Sequence, residues 1–361
     1  MHSRPKKMLV ISNMYPSSKD PYYGTFVNVF FEGLKDSDEF IPKLVAIKGR
    51  KRSLLSKLLA YMVFYTKILW EVSAHNFDFI YIHTITHPTP PLRIVSVFKK
   101  LNTVYNIHGD DLLTTTILAD RLLRLSIPLL KSSKAIVVPS EYFRDVLIRE
   151  IPFTKDKKII ISPSGGVSKI FFKNDAKIND IPIIGYVSRI DEGKGWNVLL
   201  NALTELRDKH IVFEAHFYGR GDQELELRSS IEKNGLSENV VFYGPKTHEE
   251  LSDIYKTFDV FIFPTTRVGE SLGLVGIEAM ASSTPVIGSD IGGVKSYINK
   301  GVNGFLFEPG NSNDLADKIY EFLSLNKEDR LKMGQAAYYT AVSYESSIVN
   351  QKLFSEILQI E

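Results

Sequence analysis

At 361 residues, 44% of them apolar, the chain is long enough for two domains, each with its own core. It contains no cysteine, which excludes disulfides, thiolate metal sites, iron–sulfur clusters and cysteine nucleophiles. The net charge of +2 hides a split: residues 1–170 carry 25 Lys and Arg against 14 Asp and Glu, and residues 171–361 carry 19 against 28. In chain order, near-continuous apolar runs at 8–12, 43–47, 79–83, 104–107, 135–138 and 158–161 predict strands of a sheet covered on both faces. Helical patterns near 25–35, 52–73, 90–100, 111–131 and 140–150 fill the gaps, so the first half reads as parallel βαβ units. Residues 163–182 are polar, with Pro and Gly at the ends, and the charge changes sign there. The pattern then restarts. Strands are expected at 183–187, 214–218, 240–243, 260–263, 285–288 and 304–307, and helices near 195–208, 222–234, 247–257, 273–282 and 311–324.

The architecture expected is α/β: two Rossmann-like, doubly wound parallel-sheet domains facing a cleft. The first spans 1–168 and the second 169–342, with a helical tail at 343–361 packing back on the first. Ligands of such sheets sit beyond the carboxyl ends of the strands. The opening residues run from charge into an apolar strand with no cleavage-like site, so a cytoplasmic chain is expected. The longest greasy segment, 58–66, has nine residues where a membrane span needs ~20. The segment 50–70 places Arg50, Lys51, Arg52, Lys57 and Lys67 among Leu54, Leu55, Leu58, Leu59, Met62 and Trp70. It reads either as an ordinary packed helix or as an interfacial helix on an anionic membrane. The basic first half carries no nucleic-acid motif, and nucleic acid is not an expected partner.

Three stretches carry chemistry. Glu270 to Glu278 (ESLGLVGIE) follows a buried strand and the turn-like PTTRVG. Ser271 is positioned to cap a helix there, and Gly273 and Gly276 would let backbone amides approach a bound phosphate. Glu278, one turn in, is expected to face the cleft. Two carboxylates beside a phosphate site suit sugar and ribose hydroxyls, since like charge repels the phosphate itself. Arg189 and Lys194, in GYVSRIDEGKG, leave the end of the second domain's first strand, where two cations would neutralise a diphosphate leaving group. Tyr218-Gly219-Arg-Gly221 is a broken dinucleotide fingerprint, readable as a turn at the edge of a nucleotide. Asp36-Ser-Asp38 reads as a solvated turn rather than a metal site, and His83 and His87 as a polar loop at the rim of the cleft. No metal is expected.

Glu270 to Glu278 resembles the E-x7-E motif of retaining glycosyltransferases with the GT-B fold, family 4. Other stretches are similar to that family in turn: Tyr23-Gly24-Thr25-Phe26-Val27; Asn106-Ile-His108-Gly109-Asp110; Val137-Val-Pro-Ser140; Ile161 to Val167; Val241-Phe-Tyr-Gly244 with His248-Glu-Glu-Leu; and Pro285 to Gly293. The resemblance implies a retaining hexosyltransferase that moves a sugar from UDP- or GDP-sugar to an acceptor hydroxyl, without metal or cofactor. It implies that Arg189 and Lys194 bind the diphosphate and that Glu278 holds the ribose. Glu270 and the backbone of Ser271, Leu272, Gly273 and Leu274 would hold sugar and phosphate. Gly24, Gly219 and Gly244 would line the donor, and His108 would touch the sugar near the reacting carbon. The excess of positive charge in the first half and the basic, apolar segment 50–70 point to a lipid-linked or cell-surface glycan precursor of polysaccharide biosynthesis as acceptor, with the enzyme cytoplasmic or peripheral at the membrane's cytoplasmic face. A sugar-nucleotide epimerase of the same architecture is the alternative.

Overall fold

The computed structural model describes residues 4–20, 23–113, 116–175 and 177–360. The side chains of Asp110 and Asp111 are outside that description, so the Asp110 end of the His-Gly motif is too. The chain divides into unit 1, residues 1–166 with 346–361, and unit 2, residues 167–345.

Unit 1 runs β1 (Lys6–Tyr15), α1 (Thr25–Lys35), β2 (Phe40–Lys48), α2 (Leu54–Ala74), β3 (Phe79–His83), α3 (Thr89–Val95), β4 (Thr103–Asn106), α4 (Gly109–Leu112), α5 (Ile117–Ser132), β5 (Ala135–Val138), α6 (Glu141–Glu150) and β6 (Ile159–Ile161). Its six strands are all parallel, in the order β2-β1-β3-β4-β5-β6. Side chains alternate across a strand, so β1 sends Leu9 and Ile11 into one core and Met8 and Val10 into the other. Both faces are covered, which is why these strands read as unbroken apolar runs. The segment expected as one helix over 111–131 is two, α4 and α5. The second starts where the Thr116 side chain accepts from the Ala119 amide, a cap that begins a helix afresh.

Unit 2 runs β7 (Ile183–Val187), α7 (Trp196–Asp208), β8 (Glu214–Tyr218), α8 (Glu224–Lys233), β9 (Val240–Gly244), α9 (His248–Ile254), β10 (Val260–Phe263), α10 (Leu274–Ala281), β11 (Val286–Ser289), β12 (Gly304–Phe307), α11 (Ser312–Leu323) and α12 (Lys327–Val342). Its sheet is also fully parallel, in the order β12-β11-β10-β7-β8-β9. In β10, Val260 and Ile262 face one core while Phe261 and Phe263 face the other. The chain then ends in α13 (Ser346–Leu358), which belongs to unit 1. Its Leu353, Phe354 and Ile357 join the core beneath β1, with the Phe354 ring edge-on to Phe30 and Phe40.

The two central strands of unit 2 are clamped by Asp259, which is 2% exposed. Its carboxylate accepts from the Asn179 amide, from Asn179 Nδ2 and from the Ile183 amide at 2.7–3.1 Å. Removing it would strand three partly buried donors at the entrance to β7. Asp259→Ala is therefore expected to lower stability by about 3 kcal/mol, read in urea unfolding. A loss below about 1 kcal/mol would show that the clamp is dispensable.

Candidate active site

In unit 2 the loops that follow β7, β8, β9, β10 and β11 all leave the same edge of the sheet, because every strand runs the same way. The loop after β7 carries Arg189 and Lys194. The loop after β10 carries Glu270 and Ser271 and leads into α10. These strands are neighbours, so the two loops meet. Lys194 Nζ lies 2.7 Å from Glu270 Oε2, with the two side chains 12% and 15% exposed. Thr265 Oγ1 donates to the same carboxylate oxygen at 3.2 Å, and the Tyr186 hydroxyl donates to the Lys194 carbonyl at 3.3 Å. The loop can turn so tightly because Gly195 opens α7 at φ 74°, where a Cβ would overlap the Pro264 carbonyl.

Arg189 leaves the same loop but stays 56% exposed and pairs with Asp191 at 2.7 Å. The charge of the loop is thus divided. Lys194 is fixed and shielded, while Arg189 is held only by an exposed pair of the kind that contributes little to stability and exchanges readily.

The start of α10 differs from expectation. Ser271 does not cap it. The helix begins at Leu274, and the cap is Gly273 in left-handed conformation at φ 75°, with no side-chain cap bond. A Cβ at Gly273 would overlap the Phe263 ring, so this position needs glycine for both backbone and space. The first helical amides, at Leu274 and Val275, have no intrahelical carbonyl to bind and form an anion-accepting end beside Lys194 and Glu270. Gly276 serves another purpose than expected. A Cβ there would meet the Tyr297 hydroxyl, which donates to the Gly273 carbonyl at 3.3 Å, so Gly276 makes room for internal packing.

Glu278 is 8% exposed, and its Oε2 accepts from the Tyr255 hydroxyl at 3.0 Å. Burial raises its carboxyl above the usual range, against the opposing pull of His248 and of the Tyr255 bond. Gly219 and Gly244 lie on adjacent loops, linked by the Gly219 amide donating to the Gly244 carbonyl at 2.9 Å. Beside them the Tyr218 and Tyr243 rings stack, with centroids 4.9 Å apart and planes 8° apart. Tyr243 is 47% exposed and presents a flat aromatic surface.

In unit 1, Gly24 caps α1 at φ 76°, closely packed against the Met14 carbonyl at the end of β1. Two residues on, Phe26 packs on His108, with ring centroids 4.5 Å apart. His83 is not part of a polar rim. It ends β3, is 1% exposed, and stacks on His108 with Nδ1 3.5 Å from His108 Nε2. His83 is drawn inward because β3 is an interior strand whose last residue still faces a core. Its Nε2 is buried without a partner among the described residues. Burial pushes His108 down to about 4, and burial together with His108 pushes His83 well below the usual imidazole range. Both imidazoles are neutral at pH 7 and so available to accept or donate a hydrogen bond without charge.

The residues that sequence spacing did not single out are the supporting ones: Tyr255 under Glu278, Thr265 on Glu270, and Asp191 on Arg189. Thr265 and Asp191 sit inside the stretches already noted. Tyr255 lies 23 residues from Glu278, and nothing in the local pattern links them.

Residues 167–340 match the family model for glycosyl transferases group 1, and residues 24–165 match that for glycosyltransferase family 4. The chain is 34% identical over 185 residues to a D-inositol 3-phosphate glycosyltransferase of Corynebacterium jeikeium, covering 48% of this chain and 43% of the relative. It is 32% identical over 142 residues to the 2-deoxystreptamine glucosyltransferase of Streptomyces kanamyceticus, covering 39% and 36%. It thus spans less than half the length of these two relatives. Among solved structures, Anabaena Alr3699/HepE in complex with UDP superposes with a TM-score of 0.77 over 98% of this chain and 99% of that one, at 20% identity. That identity supports a shared fold.

The histidine pair makes unit 1 sensitive to acid. Below about pH 6.5 the unfolded chain binds protons that the folded unit refuses, so stability is full above that pH and falls as pH drops toward 4. His108→Asn is expected to flatten this part of the stability–pH curve by up to about 3 kcal/mol. An unchanged slope in the variant would contradict the placement of His108.

Proposed function

This chain belongs to the group 1, family 4 glycosyltransferases with the GT-B fold, and from that premise we propose that it moves a sugar from a UDP- or GDP-sugar to an acceptor hydroxyl with retention of configuration. The pairing of Lys194 with Glu270 beside the open amide end of α10 carries this reading: it puts a cation, a hydroxyl acceptor and a phosphate-binding helix end within one small region. In the proposed complex the diphosphate lies against Lys194, Arg189 and the amides of Leu274 and Val275. The hexose hydroxyls donate to Glu270, whose backbone neighbours Ser271 to Leu274 border the phosphate. Glu278, fixed by Tyr255, accepts from the ribose. The base rests on the Tyr218–Tyr243 stack beside Gly219 and Gly244. His108 and Gly24 keep the roles the family resemblance gives them.

The bond from the anomeric carbon to the diphosphate breaks as the acceptor oxygen bonds that carbon on the same face. The acceptor's proton leaves with the departing diphosphate. Charge grows on the diphosphate in this step, so cations already held in place lower the barrier without reorganising. Lys194 is held there by Glu270, and on donor binding it exchanges part of that pairing for phosphate oxygen. The two cations take the part a divalent ion plays in other transferases.

The acceptor in this reading is a lipid-linked glycan precursor, and unit 1 meets an anionic membrane through α2. No described helix is long and apolar enough to cross a bilayer.

Lys194→Gln and Arg189→Gln are each expected to lower turnover at least ~10²-fold, the scale for one electrostatic donor. Lys194→Gln also leaves a nearly buried carboxylate unpaired and is expected to lower stability by about 3 kcal/mol. Lys194→Gln with Glu270→Gln should regain the stability but not the turnover. Product analysis should show free nucleoside diphosphate and transferred sugar, undiminished by EDTA. Wild-type rates in both single variants, an isomerised donor, or EDTA inhibition reversed by Mg²⁺ would each contradict the proposal.

A further inference from the structure

The N-terminal half of α2 is unusual for a helix on a folded domain. From Leu54 to Val63 no residue is buried, and the buried positions Phe64, Ile68 and Val72 begin only afterwards. Leu55, Leu59 and Val63 are 66%, 49% and 55% exposed. They lie four residues apart, so they form one ridge along the helix, and the next residue on that ridge is Lys67.

The ridge leads into a basic recess. Two adjoining cavities, of about 410 and 650 Å³, lie along β2, the edge strand of the sheet, and share Ala46, Lys48 and Lys67 in their linings. Lys51 lines the larger cavity together with Leu59 and Val63 of the ridge. Among the described residues no carboxylate lies within ion-pair distance of Lys48, Lys51 or Lys67. Lys51 Nζ donates to the Lys48 carbonyl at 2.7 Å, which holds it at the recess, and Lys48 Nζ sits 5.9 Å from the Tyr15 ring centroid. Three cations with no ion-pair partner among the described residues, around a concavity that opens beside exposed leucines, make a local field that favours an anion, while Lys35 at the far side of the smaller cavity is paired with Glu32. The apolar ridge adds a second requirement, for hydrocarbon next to that anion.

We propose that this recess is a headgroup site for an anionic phospholipid of a bilayer surface. The phosphate would sit among Lys48, Lys51 and Lys67, and the acyl chains would lie against Leu55, Leu59 and Val63. This deepens the membrane reading given above and rests on it, replacing a diffuse basic field with a discrete site. A soluble phosphate satisfies the lysines but leaves the ridge in water. A neutral bilayer covers the ridge but leaves the lysines unpaired. An anionic lipid surface meets both needs, since each Lys close to such a leaflet contributes and the helix can lie in the interface.

The test is sedimentation of the full chain with phosphatidylcholine vesicles, with and without phosphatidylglycerol. Wild type should bind the anionic vesicles, and binding should fall with salt. Lys48→Gln, Lys51→Gln and Lys67→Gln together should lose on the order of a hundredfold in partitioning. A control with the same charge change, Lys100→Gln, Lys155→Gln and Lys158→Gln, should lose far less, since Lys155 and Lys158 lie next to β6 at the opposite edge of the sheet. Leu55→Gln with Leu59→Gln should also weaken binding while the lysines remain. None of these side chains is buried, and an unchanged melting temperature confirms that each variant is folded. Equal losses in the two lysine triples would overturn the headgroup site and leave the membrane reading standing. No binding by wild type at low salt would overturn both. Displacement by inorganic phosphate at constant ionic strength would make the recess a free-anion site and overturn the lipid assignment.

Discussion

Lys194 and Glu270 meet across 76 residues of sequence because the strands before them are neighbours that run in the same direction. In a parallel sheet each crossover must carry the chain back behind the layer, so the loops that follow the strands collect at one edge. Everything assigned to the donor depends on that constraint. Arg189 and Lys194, Gly219, Gly244 and Glu270 come from four separate parts of the chain's second half, yet all follow or end strands of one sheet. The same geometry sets the energetics. A cation and a carboxylate, each nearly buried, are stable only while paired, which keeps Lys194 from drifting and holds it on Glu270, four residues before α10 begins.

Much of this was legible in the sequence for a physical reason. Strands covered on both faces are largely apolar, so 79–83, 135–138, 183–187 and 260–263 stood out at the bounds the structure shows, and 214–218 and 304–307 were found at theirs as well. The motif from Glu270 to Glu278 was equally plain, because glycines and carboxylates close to a strand end are rarely there for packing alone. The failures share a cause. Ser271 looked like a cap from composition, but the backbone turns at Gly273, where contact with the Phe263 ring decides the geometry. Gly276 was expected to let amides approach an anion, whereas the Tyr297 hydroxyl fills the space beside it, and Glu278 rests on Tyr255; each tyrosine lies about twenty residues away in the chain. Local spacing cannot report such contacts. His83 was misjudged in the same way, since only the placement of β3 inside the sheet shows that its end is buried.

The two units divide the physical work. Unit 2 gathers fixed charges and helix amides suited to a diphosphate. Unit 1 holds a neutral histidine pair within an aromatic setting and presents a helix whose first half has no fully buried residue and leaves most of its leucines exposed. A helix of this kind is a burden to a protein that stays in water, because exposed leucines in a row favour aggregation. Its basic neighbours at the sheet edge make the same surface a fit for an anionic lipid interface.

The central claim is that Lys194, with Arg189, recognises a diphosphate at the carboxyl edge of the second sheet. Calorimetric titration with UDP, GDP and the corresponding monophosphates tests it most directly. The account predicts that a diphosphate binds at least about tenfold more tightly than its monophosphate, the yield of one charge-assisted hydrogen bond, and that Lys194→Gln removes most of the difference. Equal affinity for the diphosphate and the monophosphate in the wild-type protein would contradict it.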